Sequence, residues 1–303
     1  MGRGYYMRTI IAGRYRKIVR YTRALPGDSP PVRSAKKTAT NKSQQYINIR
    51  DSTEKLQWLL CANYDCKDAC FLTFTFSDEH LPRYRSGVKK MASEYLRKLT
   101  LDMRRRGTEI KKIYTVEGDS PDLFPDAPQA DSSWETAPWS DRKRWIALDN
   151  AKDGDPPEPE IRLHWHCFLI LAKEDYDTVR ALWPYGRVHI SRIRTKDAMT
   201  FPRLASYVTK EARTGKRPKG ERSYIPSLNL DQPIFTGRWC EDYEGISVPK
   251  DAESIQSGSD RNDLYGSAME FSFFRLPPTK QVPKPYKGKG MLKQPPKGKK
   301  TQK

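Results

Sequence analysis

The chain has 303 residues, a hydrophobic content of 36% and a formal net charge of +19. Its length allows one large domain or two smaller ones, and the low hydrophobic content predicts that part of the chain lies outside a packed core. The sequence contains no apolar stretch of membrane-spanning length, no signal-peptide pattern at its start and no paired cysteine framework. We therefore expect a soluble, cytoplasmic protein with reduced thiols and no membrane partner.

The positive charge is concentrated in two segments. Residues 1–50 contain twelve Lys or Arg and one acidic residue, residues 280–303 contain nine Lys and no acidic residue, and the chain between them is nearly neutral. Such segments contact phosphate backbones without reading sequence, and they are also often disordered. We expect an N-terminal basic arm with little core of its own and a disordered Lys-rich tail. Tyrosines suited to base stacking alternate with arginines in the arm: Tyr5, Tyr6, Tyr15 and Tyr21.

Between these segments, strand and helix patterns alternate over a predicted domain of residues 51–215. The expected elements in chain order are a short helix 52–60 capped by Ser52, strand 71–76, helix 86–106 ended by Gly107, strands 111–117 and 162–171, helix 175–183, strand 187–193, and a helix capped by Thr200. This order predicts an α+β fold with a split βαβ arrangement and an antiparallel sheet.

Two further segments interrupt or follow these elements. Residues 118–160 carry eleven acidic residues against four basic ones, and they are rich in proline, so we expect a long surface insertion. Residues 216–279 form an accessory C-terminal region of unassigned role, in which residues 241–263 are acidic and contain Gly and Ser.

Strand 162–171 contains two of the four histidines of the chain, His164 and His166. Side chains alternate along a strand, so both histidines lie on one face. The opposite face is the expected core side: Leu163, Trp165, Cys167, Leu169 and Leu171. Two adjacent imidazoles supply half of a divalent metal site, although one packed and one surface histidine is the simpler alternative. Glu117, at the end of the preceding strand, is a candidate third ligand, and Glu160 is its competitor. Two imidazoles with a carboxylate suit Mn²⁺ or Mg²⁺.

The last helix carries Tyr207 and Lys210, whose spacing of three predicts a shared helical face. A surface pair of this kind is common, but a tyrosine hydroxyl is a competent nucleophile toward a metal-polarised phosphodiester. Tyr224 is a second candidate nucleophile; it has no Lys at helical spacing, so a core or DNA-contact role is expected. Basic side chains on and after this helix are predicted DNA contacts: Arg203, Arg213, Lys216, Arg217 and Lys219.

The Phe-Leu-Thr-Phe-Thr-Phe strand, the His164-Trp165-His166 pair and the Tyr207-x-x-Lys210 pair occur in the order of the three HUH endonuclease motifs. Residues 68–215 therefore resemble that family, and most nearly the single-tyrosine rolling-circle replication initiators of phages, plasmids and small circular DNA elements. Trp183-Pro-Tyr-Gly186 before a strand is also similar to that group.

The resemblance implies an RRM-like palm, metal-dependent nicking of a single-stranded origin hairpin, a 5′-phosphotyrosine intermediate and strand rejoining. It also implies a polymerase and a separate helicase of the host or element, since the chain lacks a Gly-x-x-x-x-Gly-Lys-Ser/Thr loop.

The chain departs from this family in two respects. The residue between the histidines is Trp where an aliphatic residue is common, and the insertion before His164 is unusually long. A relaxase or single-tyrosine transposase is an alternative with the same chemistry. A non-catalytic RRM-like nucleic-acid-binding protein is an alternative of another class, and it predicts aromatic residues on the exposed sheet face. Zinc binding is an alternative to structural thiols for three cysteines, with His80 as fourth ligand: Cys61, Cys66 and Cys70.

Overall fold

The computed structural model describes residues 3–24, 42–118, 162–214, 221–262 and 267–278. The protein combines two antiparallel sheets with a small number of helices, in agreement with the predicted α+β class. Its chain divides into two units: Met1–Thr38 with Gln232–Lys303, and Ala39–Asp231. Within the described ranges, no helix has both the length and the apolar character needed to cross a membrane.

The described residues contain ten strands and five α-helices. The strands are β1 (Arg3–Ala12), β2 (Tyr15–Ala24), β3 (Ala69–Phe74), β4 (Ile113–Glu117), β5 (His164–Ile170), β6 (Val188–Arg192), β7 (Ile225–Pro226), β8 (Ile234–Cys240), β9 (Glu253–Asn262) and β10 (Ser267–Arg275). The helices are α1 (Lys42–Asn63), α2 (Arg85–Arg105), α3 (Tyr176–Ala181), α4 (Thr200–Val208) and α5 (Lys210–Thr214).

The unit Ala39–Asp231 is built on a five-stranded sheet with the order β6-β3-β5-β4-β7, in which all neighbouring strands are antiparallel. One face of the sheet forms the main core. The five residues predicted to face the core from strand 162–171 are all buried in it. The ring of Trp165 stacks on Phe74 with 3.8 Å between centroids, and α2 covers both rings from above with Val88, Tyr95 and the other apolar residues of its buried stripe. The alternation predicted for this strand is confirmed.

Helix α2 follows the sequence prediction to within one residue at each end. Its buried apolar positions recur at helical spacing, and most of the remaining positions are polar. The chain then leaves the helix through Gly107, whose φ of 79° is readily accessible only to glycine. The predicted stop is therefore confirmed.

Two helix starts differ from the prediction. Helix α1 begins at Lys42 rather than at Ser52, which lies inside the helix. The buried residues of α1, such as Leu56 and Trp58, are confined to its last turns. The apolar pattern of the sequence therefore predicts only the C-terminal part of the helix. Helix α4 begins at Thr200 itself, with Met199 in the capping position.

The N-terminal basic arm is the main correction to the predicted domain organisation. Residues 3–24 form the hairpin β1–β2, which turns at Gly13 with a φ of 58° and joins a second sheet of order β8-β1-β2-β10-β9. Ile10, Ala12 and Tyr15 are buried there. Part of the acidic segment 241–263 likewise forms strand β9. The tail 280–303 and the insertion beyond Gly118 lie outside the described residues.

Candidate functional site

The three predicted metal ligands come together at the ends of β4 and β5. The register of the two strands pairs Glu117 with His164 and Thr115 with His166. Paired residues of antiparallel strands share a face, as do residues two apart on one strand, so the three side chains converge. The Nε2 atom of His166 lies 3.3 Å from Glu117 Oε2, and that of His164 lies 3.9 Å from Oε1. The two Nε2 atoms are 3.1 Å apart.

This arrangement is suited to holding a metal ion. One ligand atom from each side chain lies within 4.8 Å of the others, and no second such group occurs in the described part of the chain. Glu117 and His166 are only 4% and 3% exposed, whereas His164 is partly buried. Glu160, the competing ligand, lies outside the described residues.

Hydrogen bonds on the far side of each ring hold the imidazoles in place. His164 donates from Nδ1 to the carbonyl oxygen of Arg162 over 2.7 Å, which leaves Nε2 as the atom with a free lone pair. The Nδ1 atom of His166 is 3.0 Å from the hydroxyl of Thr73, and Phe71 stacks on the same ring at 4.9 Å. Such partners fix ring orientation and tautomer in metal-binding histidines.

The charges of the site favour the protonation states that a metal requires. Burial opposes the charge on Glu117, but hydrogen bonds from His166 and Lys210 outweigh burial and lower its pKa to about 2. Burial and the neighbouring His166 lower the pKa of His164. A carboxylate that stays ionised and an imidazole that stays neutral can both coordinate a cation without first losing a proton.

Tyr207 lies beside this site. Its ring centroid is 5.7 Å from the ring of His166 and 6.2 Å from that of Phe71, and 40% of the residue is exposed to solvent. Phe201, Ala205 and Val208 are buried on α4, so Tyr207 projects from a different side of the helix. Its exposed position makes the ring accessible to a substrate.

The position of Lys210 at the start of a separate helix differs from the sequence prediction. Helix α4 ends at Val208, and Lys210 is the first residue of α5, so the two residues do not share one continuous helix. At the break, the hydroxyl of Thr209 bonds to the carbonyl of Ala205 at 2.9 Å and to the hydroxyl of Thr53 on α1 at 2.7 Å. A hydroxyl bonded four residues back in this way often bends a helix.

Lys210 joins the candidate nucleophile to the candidate metal ligands. Its Nζ atom is 2.5 Å from Glu117 Oε1 and 4.0 Å from the centroid of the Tyr207 ring. Burial lowers the pKa of Lys210, but the Glu117 carboxylate more than compensates, and the net effect is a raised pKa. The ammonium group therefore remains charged at neutral pH.

Two buried residues hold the end of β4 and the start of α5 together; we term them the Arg85–Glu211 clamp. Arg85 donates hydrogen bonds to the carbonyls of Val116 at 2.5 Å and Gly118 at 2.7 Å, on either side of Glu117. Glu211 pairs with Arg85 at 2.9 Å and accepts the backbone N–H of Gly118 at 2.7 Å. The clamp thus contacts both neighbours of Glu117, and its member Glu211 directly follows Lys210 in the chain.

Gly118 has a backbone that only glycine accommodates here. Its φ is 116°, and a Cβ at this position would lie 2.7 Å from the carbonyl oxygen of Arg162. Such a contact is too close for any side chain to be added without moving the paired strand. The strand end that carries Glu117 is thereby kept against the strand that carries His164.

Sequence reasoning did not identify Thr73, Arg85, Gly118 or Glu211. Thr73 lies in the predicted strand 71–76, but its position opposite His166 depends on a pairing between strands that are distant in the chain. The ion pair of Arg85 with Glu211 joins residues 126 positions apart, and no spacing rule relates them.

The predicted DNA contacts are described only in part. Arg203 is an exposed residue of α4 that pairs with Asp197 at 2.7 Å. Arg213 lies in α5, but its side chain is outside the described part, as are residues Lys216, Arg217 and Lys219. Tyr224 is partly buried, and burial raises its pKa, so forming its phenolate is more costly.

The candidate zinc ligands do not assemble where the structure describes them. Cys61 and Cys70 are buried, and Cys70 Sγ lies 3.3 Å from the hydroxyl of Tyr176. His80 is exposed and bonded to Ser77 at 2.9 Å. In the described ranges these residues form no metal-ligating group.

Comparisons with protein-family models, with curated proteins and with solved structures found no match to this chain.

Proposed function

We propose that the protein is a metal-dependent endonuclease of the HUH class that initiates rolling-circle replication by nicking single-stranded origin DNA. The observation that carries the proposal is the position of Tyr207 beside Glu117, His164 and His166, with Lys210 in contact with both Tyr207 and Glu117. A nucleophile, a metal-ligand set and a fixed cation are the parts that tyrosine-mediated strand transfer requires.

The sheet of the unit Ala39–Asp231 supports an RRM-like palm. Its four longer strands have the order β6-β3-β5-β4, with α2 between β3 and β4 and α3 between β5 and β6 in the chain. This arrangement is that of a split βαβ fold, in which a helix connects each outer strand to a strand at the centre. The two histidines lie on its central strand β5.

Glu117, His164 and His166 would hold the ion, for which Mn²⁺ and Mg²⁺ suit the nitrogen and oxygen donors. A bound ion of this kind supplies Lewis-acid polarisation of a phosphate oxygen. In the proposed step the Oη atom of Tyr207 forms a bond to phosphorus and loses its proton, while the bond to the 3′ oxygen breaks and that oxygen gains a proton. The protein then carries the 5′ phosphate, and the DNA has a free 3′-OH.

Lys210 has an electrostatic role in this step. Because its pKa is raised, it stays an ammonium group and is unsuited to accept the tyrosine proton. Its positive charge instead offsets negative charge that develops on the phosphoryl oxygens and the tyrosine oxygen. Attack of the 3′-OH on the phosphotyrosine reverses the reaction and rejoins the strand. A host or element polymerase would extend the 3′-OH, and a separate helicase would unwind the duplex.

The test is covalent capture. The full chain is incubated with Mn²⁺ and a library of 5′- or 3′-labelled single-stranded and hairpin oligonucleotides, then resolved on a denaturing gel. We expect a protein adduct that retains only the 3′ label, and peptide mapping of that adduct to Tyr207. Tyr207→Phe keeps the ring and removes the hydroxyl, so it should bind DNA and form no adduct. Binding without cleavage by the wild-type protein would support the non-catalytic alternative, and an adduct at Tyr224 would reassign the nucleophile.

A further inference from the structure

The sheet formed by the two ends of the chain has one face rich in aromatic side chains. Directly opposed residues of antiparallel strands share a face of the sheet, so such residues on neighbouring strands form a row across that face. The row runs across four strands: Trp239, Tyr6, Tyr21 and Met269. Ring contacts link its members, at 5.3 Å between Tyr6 and Trp239 and 5.8 Å between Tyr6 and Tyr21. We term this surface, together with Arg8 and Phe235, the aromatic face.

The part of this face around the aromatic row is partly exposed in the described chain, whereas Ile10, opposite Phe235 on the same face, is buried. Phe235 and Met269 are 49% and 43% exposed, and the three rings of the row are partly exposed. Gly237 lets the ring of Tyr6 lie over strand β8, since a Cβ there would be 2.2 Å from the tyrosine hydroxyl. The absence of a side chain at Gly237 thus leaves room for the Tyr6 ring over β8.

Arg8, next to this row, differs in its partners from the arginines on the opposite face of the sheet. On the opposite face, Arg20 pairs with Asp242 at 3.5 Å and with Glu270 at 3.7 Å, and Arg238 pairs with Glu244. On the aromatic face, the guanidinium of Arg8 lies 5.1 Å from the ring centroid of Phe235. Arg8 makes no ion pair within the described residues, so its charge remains available to an anion.

We infer that the aromatic face binds single-stranded nucleic acid. Exposed rings on a sheet stack with unpaired bases, and an adjacent arginine pairs with the backbone phosphate. Successive residues of one face are about 6.8 Å apart along a strand, so the row and Arg8 can engage a base and a neighbouring phosphate together. A duplex hides its base faces and is not suited to this surface. The inference shares a ligand class with the proposed function but not its site, and it does not require cleavage.

The experiment measures binding of the full chain to fluorescent oligonucleotides of about 20 nucleotides by anisotropy, in EDTA and across a salt series. The arms are single-stranded DNA, single-stranded RNA and duplex DNA of the same sequence. The variants are Tyr6→Ala, Tyr6→Phe, Phe235→Ala and Arg8→Gln. Tyr5→Ala is the matched control, because Tyr5 is the adjacent tyrosine on the opposite face, where Arg20 covers its ring at 3.7 Å.

We expect Tyr6→Ala and Phe235→Ala to weaken single-strand binding by about fivefold to a hundredfold, the usual effect of losing one stacked base. Tyr6→Phe and Tyr5→Ala should bind as wild type does, and Arg8→Gln should weaken binding with a shallower salt dependence. The DNA and RNA arms identify which strand is preferred. Phe235 and Arg8 are exposed, so these two variants decide the outcome if Tyr6→Ala fails to fold.

Unchanged affinity in Phe235→Ala and Arg8→Gln, or an equal loss in Tyr5→Ala, would overturn the inference. The result is separable from that of the proposed function. If no substrate is cleaved but these variants lose single-strand binding, the aromatic face stands and the nuclease proposal fails. If Tyr207 forms an adduct while these variants bind normally, the nuclease proposal stands and the aromatic face does not bind nucleic acid.

Discussion

The backbone N–H of Gly118 donates a hydrogen bond to Glu211 Oε1 over 2.7 Å, although 93 positions separate the two residues. Gly118 follows the candidate ligand Glu117, and Glu211 follows Lys210. A single contact therefore joins the neighbours of Glu117 and Lys210, and Arg85 bonds to both Gly118 and Glu211.

Removing this contact tests whether the clamp positions the metal ligands. We expect Glu211→Ala to lower the free energy of unfolding by about 3 kcal/mol, because it leaves Arg85 with Glu221 as its remaining described carboxylate partner. Mn²⁺ affinity should also fall at least about tenfold, as is typical when a supporting residue of a metal site is lost. Urea unfolding and isothermal titration measure the two effects. Glu94→Gln, an exposed change on α2, is the control, and undiminished Mn²⁺ affinity in Glu211→Ala would rule out positioning.

Substitution of either candidate histidine ligand should abolish cleavage without weakening DNA binding. We expect His164→Ala and His166→Ala to abolish Mn²⁺ binding and cleavage, since each removes a ligand, while single-stranded DNA binding stays near the wild-type level. His189→Ala is the matched control, because His189 is exposed and bonded to Ser191 at 2.9 Å. Cleavage at the wild-type rate in both site variants would show that the metal is bound elsewhere.

Lys210 should accelerate strand transfer without being essential for it. We expect Lys210→Ala to slow adduct formation about a hundredfold, a typical loss for one charge-stabilising group, and Lys210→Arg to restore part of the rate. Single-turnover kinetics at saturating Mn²⁺ measure this step. A complete loss of adduct in Lys210→Ala, with metal affinity intact, would instead indicate a direct part in proton transfer.

The ionised state of Glu117 predicts a defined pH dependence of stability. Its folded-state pKa of about 2 is below the ordinary value of 4.5, so its contribution is complete above pH 4.5 and is lost as the pH falls toward 2. At most roughly 3 kcal/mol is involved. The difference in unfolding free energy between the wild type and Glu117→Gln, measured in urea with EDTA, should shrink as the pH falls from about 4.5 toward 2. A difference that persists unchanged at about pH 3 would contradict this assignment.

The Lys-rich segment 280–303 lies outside the described residues, but the charge of its nine lysines predicts a contribution to nucleic-acid binding. Deleting it should weaken binding to all single-stranded sequences alike and make the salt dependence shallower, because fewer counterions are released. The nick position should not move. Mapping of the nick on one origin substrate checks this, and a displaced nick would show that the segment reads sequence.

The shared face of the two candidate histidine ligands could be predicted because their spacing is local. Two histidines two positions apart on a strand must share a face, and Glu117 ends the strand that precedes them in the domain. The helix that carries Tyr207 could be placed because its buried positions recur at helical spacing. The position of Lys210 could not be predicted in the same way, because it depends on the helix break at Thr209. At this break Thr209 bonds to Thr53, which is far away in the chain.

The second sheet was missed for a related reason. Strands β1 and β2 pair with β8 and β10, more than 200 positions away along the chain. The alternation of Tyr, Arg and Ile in residues 3–24 is compatible with a strand, but its high charge favoured a basic arm while no partner strand was apparent. The residue pattern of one segment does not reveal which distant segment will pair with it in a sheet.

Glu117 and His164 are paired neighbours on adjacent strands, although residues 118–163 run between them in the chain. The two ends of that segment are therefore held about one strand spacing apart, near 4.8 Å, whatever its length. The entropy of closing a loop changes by only about 0.6 kcal/mol for each doubling of length. Evolution can thus exchange residues 119–161 without re-optimising the candidate metal ligands, and so can an engineer who grafts a module between Gly118 and Arg162. In the proposed nuclease, target choice and bond chemistry can therefore diverge separately.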